Sequence, residues 1–141
     1  MTWDSKFGAM VSLNFQNTDV ANWTTNARYE AAMPPLGLSW RVPQGAVFYP
    51  VYAFAQFDGG AAASGSLTFK IGTSANADLP GTARTVCSDG SESIALSFNT
   101  ARSCRAAAGT SINPVFVTSS DWADDACTGV MVQLIGFLSD S

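Results

Sequence analysis

Eleven carboxylates, three cysteines and no histidine are the groups with which this chain could do chemistry. Without histidine there is no Ser-His-Asp or Cys-His catalysis and no His-ligated metal site. What remains is a carboxylate pair or a Ser or Lys nucleophile. Asp121, Asp124 and Asp125 form the densest acidic group. A hard cation takes about six to eight oxygens. Three clustered Asp therefore fit a solvated turn or a capped helix start better than a calcium site. Asp58-Gly59-Gly60 and Asp89-Gly90-Ser91-Glu92 are turn chemistry first. Glu30 and Glu92 are the only glutamates, and nothing in the spacing brings them together for acid–base work. Gly59-Gly60 and Gly65 match no nucleotide fingerprint. The expectation is a protein that is not an enzyme and holds no cofactor or metal.

Cys87, Cys104 and Cys127 contain no C-x-x-C pair, so a structural zinc site is not expected. Cys87 and Cys104 bracket a hairpin signal and could oppose each other. In a cytoplasmically made protein, the reading as small buried hydrophobes is preferred. Asn22-Trp23-Thr24 matches the glycosylation pattern, but no secretory signal precedes it and it is taken as chance. Met1 to Lys6 is polar, and residues 1–8 read as an extended N-terminal arm on a single domain spanning 1–141.

Charge narrows the partners. The bases Lys6, Arg28, Arg41, Lys70, Arg84, Arg102 and Arg105 are scattered and the net charge is -4. No basic stripe follows a phosphate backbone or an anionic membrane, so neither nucleic acid nor membrane is an expected partner. Only 13% of residues are charged against 47% apolar, where a soluble domain averages about 25% charged. Scarce charge is what a shielded component of an assembly shows.

The elements that would position any site are strands. Val11 to Phe15 alternates apolar and polar residues, as does Leu36 to Val42. Val47 to Gln56 carries Val47, Tyr49, Val51, Ala53 and Ala55 on one face and Phe48, Tyr52, Phe54 and Gln56 on the other. Both faces are largely apolar, so the strand is expected to be covered on both sides or to meet another subunit with its outer face. Pro50 marks a bulge or an edge. In Ser66 to Gly72, Leu67, Phe69 and Ile71 face inward while Thr68 and Lys70 face out. Thr82 to Cys87, turned by Asp89-Gly90, pairs with Ser93 to Phe98 or with a neighbour. Asn99 to Gly109 reads as holding a helical turn, and Ser119 to Asp125 as a capped one. Ile112 to Thr118 is a strand with Pro114 inside it. Gly129 to Leu138 closes the chain, opposing Val130, Val132, Leu134 and Gly136 to Met131, Gln133, Ile135 and Phe137. The tally predicts an all-β chain, a jelly-roll-like β-sandwich of about eight strands.

The segment Ser66-Leu67-Thr68-Phe69-Lys70-Ile71-Gly72-Thr73, the loop Ser74 to Pro80 and the closing strand Gly129 to Leu138 resemble jelly-roll decoration (cement) proteins of tailed bacteriophages. That resemblance implies a homotrimer on the virion surface, made in the host cytoplasm. It would bind the assembled major capsid protein lattice and stabilise it by mass action. The expected oligomer interface is Phe48, Tyr52, Phe54, Met131, Ile135 and Phe137. The rival reading is a tail-fibre or spike module that binds host glycans through exposed Trp and Tyr, Trp3, Trp23, Trp40 and Trp122 falling near strand starts or in loops.

Overall fold

In the computed structural model of the chain, residues 9–34, 37–58, 65–73, 79, 84–87, 91–95, 104–123 and 128–140 are described. The expected arm, residues 1–8, lies outside them. The described residues form nine strands: β1 (Ala9–Asn17), β2 (Arg28–Glu30), β3 (Trp40–Arg41), β4 (Ala46–Asp58), β5 (Ser66–Thr73), β6 (Arg84–Cys87), β7 (Ser91–Ala95), β8 (Ser111–Thr118) and β9 (Gly129–Asp140). They form a four-stranded sheet ordered β1-β9-β4-β7 and a second sheet ordered β2-β8-β5-β6, with β3 also paired to β8.

The pairings are nested. β5 pairs with β6, β4 with β7, β2 with β8 and β1 with β9, all antiparallel. The first half of the chain thus pairs with the second half in reverse order, as a long hairpin rolled into two sheets. That is the jelly roll. Thr82 to Cys87 and Ser93 to Phe98 were candidates to pair with each other. Instead β6 and β7 go to opposite sheets, because each completes the pairing of the strand before it in the roll.

The strand edges shift for physical reasons. The alternation over Leu36 to Val42 yields only the two residues of β3. Gly37 adopts φ +70, and the turn there is closed by Met33 N–H to Leu38 C=O at 2.7 Å and Gly37 N–H to Met33 C=O at 3.0 Å. The helical turn expected over Asn99 to Gly109 is overturned at its described end. Ala106 and Phe48 exchange both backbone hydrogen bonds, at 2.8 and 2.9 Å, which makes that segment a bridge to β4.

Pro50 sits in the middle of β4, a strand paired on both sides. It is tolerated because Phe48 aims its backbone at Ala106, and residues two apart on a strand aim at the same side. The Pro50 nitrogen therefore faces the side of that bridge and of the β7 ladder that starts at Tyr52, and among the described residues no strand partner lies opposite it there. The ladder to β9 passes from Pro50↔Gly136 to Tyr52↔Ile135, leaving Val51 as the extra residue of a bulge. A one-residue insertion swaps the faces. Phe48 and Pro50 are buried before it, and Ala53, Ala55 and Phe57 after it.

Between the sheets, Phe15, Phe48, Phe69, Phe116, Leu67, Ile71, Ile112 and Leu134 are fully enclosed. Phe69 and Phe116 stack at 5.0 Å across the β5–β8 pair, and Phe57 meets Phe116 edge-on at 5.7 Å. Burying each such ring contributes about 1.5–3 kcal/mol. The Leu67, Phe69, Ile71 face expected of β5 is the one that the core uses.

Candidate docking interface

The bulge decides which residues can meet a partner. Phe48, expected at an oligomer interface, lies in the core with no exposure. It precedes the bulge, so its side chain points opposite to those of Tyr52 and Phe54 despite the even spacing. The other five expected residues, Tyr52, Phe54, Met131, Ile135 and Phe137, come together on the outer face of the β1-β9-β4-β7 sheet.

The register arranges that face in rows across β1, β9 and β4. They run Met10–Phe137–Tyr49, Ser12–Ile135–Tyr52, Asn14–Gln133–Phe54 and Gln16–Met131–Gln56. None of these side chains carries a charge. Met10 and Met131 are 62% and 58% exposed, and the aromatic and Ile positions are half-buried. An open groove of about 500 Å³ runs along it, lined on the outer side by Asn14, Tyr52, Phe54, Gln56, Met131 and Gln133. The carboxamide of Gln133 donates to the Ser12 hydroxyl at 3.0 Å. Tyr49 and Met10 were not expected here. Tyr49 was assigned to the opposite face from Phe54, and only the bulge unites them.

Such a face can dock by burying apolar area without having to desolvate a charge. Among the described residues, its rows across β1, β9 and β4 contain no Asp, Glu, Lys, Arg or Cys. Among the described residues no group of three or more His, Cys, Asp or Glu could hold a metal. Asp121 accepts the Ser119 hydroxyl at 2.7 Å in a turn where Trp122 N–H reaches Ser119 C=O at 3.3 Å. Asp124 and Asp125 lie outside the described residues, as does Cys127. Cys104 is a fully buried member of the core; the side chain of Cys87 is not described.

The tryptophans are placed mostly inward. Trp23 stacks on Tyr29 at 4.7 Å and 7°, lies 6.4 Å from Trp122, and both indoles are buried. Trp40 is half-buried and meets Phe48 edge-on at 4.9 Å. Trp3 lies outside the described residues.

The opposite sheet offers a different surface. Arg28 bonds Glu30 at 2.7 Å and reaches the Thr73 carbonyl at 3.1 Å, bridging from β2 to the end of β5. Val115, between those strands on β8, is fully buried although it faces away from the core. This face is ionic and locally tied down. The uncharged, open face belongs to the other sheet.

No family model matches the sequence, and no curated protein matches it. Solved structures similar to the chain include the acid-stable capsid of Helicobacter pylori bacteriophage KHP30 (13% identity over 91% of this chain and 86% of that one, TM-score 0.46). Others are the capsid asymmetric unit of cyanophage Pam1 (12% identity, 92% and 85%, TM-score 0.45) and Bacillus endospore appendages described as disulfide-linked pili (12% identity, 94% and 88%, TM-score 0.42).

Proposed function

We propose that the chain is a virion structural protein that works by docking, in the manner of a decoration protein bound as an oligomer to an assembled capsid lattice. The observation that carries this reading is the uncharged outer face on which Tyr49, Tyr52, Phe54, Met131, Ile135 and Phe137 meet. A surface of this kind gains by covering apolar side chains, and its half-buried rings are the anchors that dominate such contacts. The glycan-binding alternative rests on exposed Trp and Tyr; Trp23 and Trp122 are in the core, and Tyr49 and Tyr52 are half-buried within the outer face itself.

Binding only the assembled lattice stabilises that lattice by mass action, by about 2.7 kcal/mol per site at a hundredfold excess over Kd. The test is co-sedimentation of the purified full chain with DNA-free shells of the major capsid protein from the same source. Saturable binding that F54K weakens is expected. Shells that leave the chain in the supernatant would overturn the reading.

A further inference from the structure

The edge strands of the two sheets are not alike. β7, β2 and β6 run five, three and four residues, and each contains a charged residue: Glu92, Arg28 with Glu30, and Arg84. Short length and charge are the usual protections of an edge. β1 has neither. It runs nine residues, Ala9–Asn17, in unbroken register with β9, and contains no charge, no Pro and no Gly.

On its other side, the backbone of β1 meets only Ala32 among the described residues, where Gln16 and Ala32 exchange hydrogen bonds at 2.8 and 2.9 Å. Since residues two apart aim at the same side, Met10, Ser12 and Asn14 present both backbone groups outward, away from β9. Their side chains are exposed, and Val11 and Leu13 between them are half-buried on the core side.

We propose that β1 is a pairing edge for a second copy of this chain, joined antiparallel through β1 about a two-fold axis at Ser12. The register follows from the hydrogen-bond inventory. Centred on Ser12, the pairs are Met10 with Asn14 of the second copy, Ser12 with Ser12, and Asn14 with Met10. All three outward residues of each strand are then satisfied. A centre at Val11 or Leu13 leaves one of them out or calls on Gln16, which Ala32 already holds.

In that register Val11 lies opposite Leu13 of the other copy, in the closer class of antiparallel pair, and the two cover each other's exposed halves. The absence of charge on β1 means that self-pairing meets no like-charge repulsion. The two four-stranded sheets become one of eight strands, and their outer faces join into one docking surface. This inference concerns the edge and holds whether or not the face binds a shell. The unit that it describes is two-fold, where the resemblance to cement proteins implies a three-fold one.

Sedimentation velocity of the full chain at micromolar concentration tests it. A dimer is expected, and S12K should weaken it by about tenfold or more, because two lysines would face each other across the axis. The substitution gives up only the exposed bond from Gln133, so the thermal melt of the monomer should be unchanged. In the complementary test, S12C should form a disulfide-linked dimer under mild oxidation. A directly opposed pair places Cα atoms about 5.5 Å apart, inside the disulfide range. N14C, facing Met10, should not. A monomeric wild type, a trimer, or a dimer that S12K leaves intact would each overturn the proposal.

Discussion

The ring of Phe48 occupies the space that a side chain at Gly136 would need. A Cβ built on Gly136 would stand 2.5 Å from Phe48 Cζ and 2.5 Å from the Tyr49 carbonyl oxygen. Gly136 pairs with Pro50 at the last position before the bulge. The strand therefore gives up a side chain where the chain opposite bends, and a ring from two residues earlier covers the gap.

Gly136→Ala should destabilise the protein by about 1–3 kcal/mol, the cost of overpacking a closed site. Its Tm should fall by roughly 5–10 °C. Because part of the clash is with the ring end, Phe48→Leu in the same chain should recover part of the loss, and a double-mutant cycle by thermal or urea unfolding measures that coupling. Additive losses would show that the carbonyl of Tyr49 sets the limit.

Thr118 gives a second prediction. It is 3% exposed, its hydroxyl accepts from Ala27 N–H at 2.9 Å, and it donates to the Thr24 carbonyl at 2.6 Å. One hydroxyl thus ties the segment before β2 to the end of β8. Thr118→Val keeps the shape and leaves both backbone groups without that partner, so a loss of about 1–3 kcal/mol is expected. Thr118→Ser should cost less. Hydrogen exchange at the Ala27 amide should speed up in the Val variant alone.

Arg28 gives a third. Its side chain is 24% exposed and that of Glu30 38%, so the ion pair by itself is worth no more than about 1 kcal/mol. Glu30→Gln should therefore be nearly neutral in urea unfolding. Arg28→Ala should cost more, since it also removes the bond to Thr73 and the bridge beside Val115. Lys at 28 should not restore it, because a single ammonium cannot reproduce the forked geometry that reaches two acceptors. Equal effects at 28 and 30 would mean that the ion pair alone matters.

How far these arrangements could be read beforehand depends on the local pattern. In β5, Leu67, Phe69 and Ile71 alternate with Thr68 and Lys70, and strict alternation with one polar face has a single solution. In β4 both faces are apolar, so alternation holds no information about which is inside. Pro50 announced a bulge or an edge; that the strand is central, and that Val51 is the inserted residue, depends on Ala106 and β7, which are distant in sequence. β2 is three residues long, Arg28-Tyr29-Glu30, too short for a period to register. The pairing of β6 and β7 was equally hidden, because a turn signal at Asp89-Gly90 says that the chain reverses and not that it stays in one sheet. Five of the six expected interface residues still came together, since β9 is unbulged there and Tyr52 and Phe54 both follow the bulge.

That change of face supplies the sharpest test of the proposed docking interface. Phe48 and Phe54 lie on the same strand, six positions apart, and even spacing in a regular strand would place them on one side. With the bulge between them, lysine at the two positions should behave oppositely. Phe48→Lys buries a charge in the apolar core, costs several kcal/mol, and should prevent folding or lower Tm sharply. Phe54→Lys, even with Met131→Lys added, places charge on a surface open to water. Met131→Lys should change stability by about 0.5 kcal/mol or less, and Phe54→Lys, at a half-buried position, by about 1 kcal/mol, far less than Phe48→Lys, while binding to capsid shells falls. Differential scanning calorimetry of the variants decides the strand geometry, and co-sedimentation with shells decides the function separately. Equal destabilisation at 48 and 54 would mean that β4 is regular and that the outer face assembled across β1, β9 and β4 does not exist in solution.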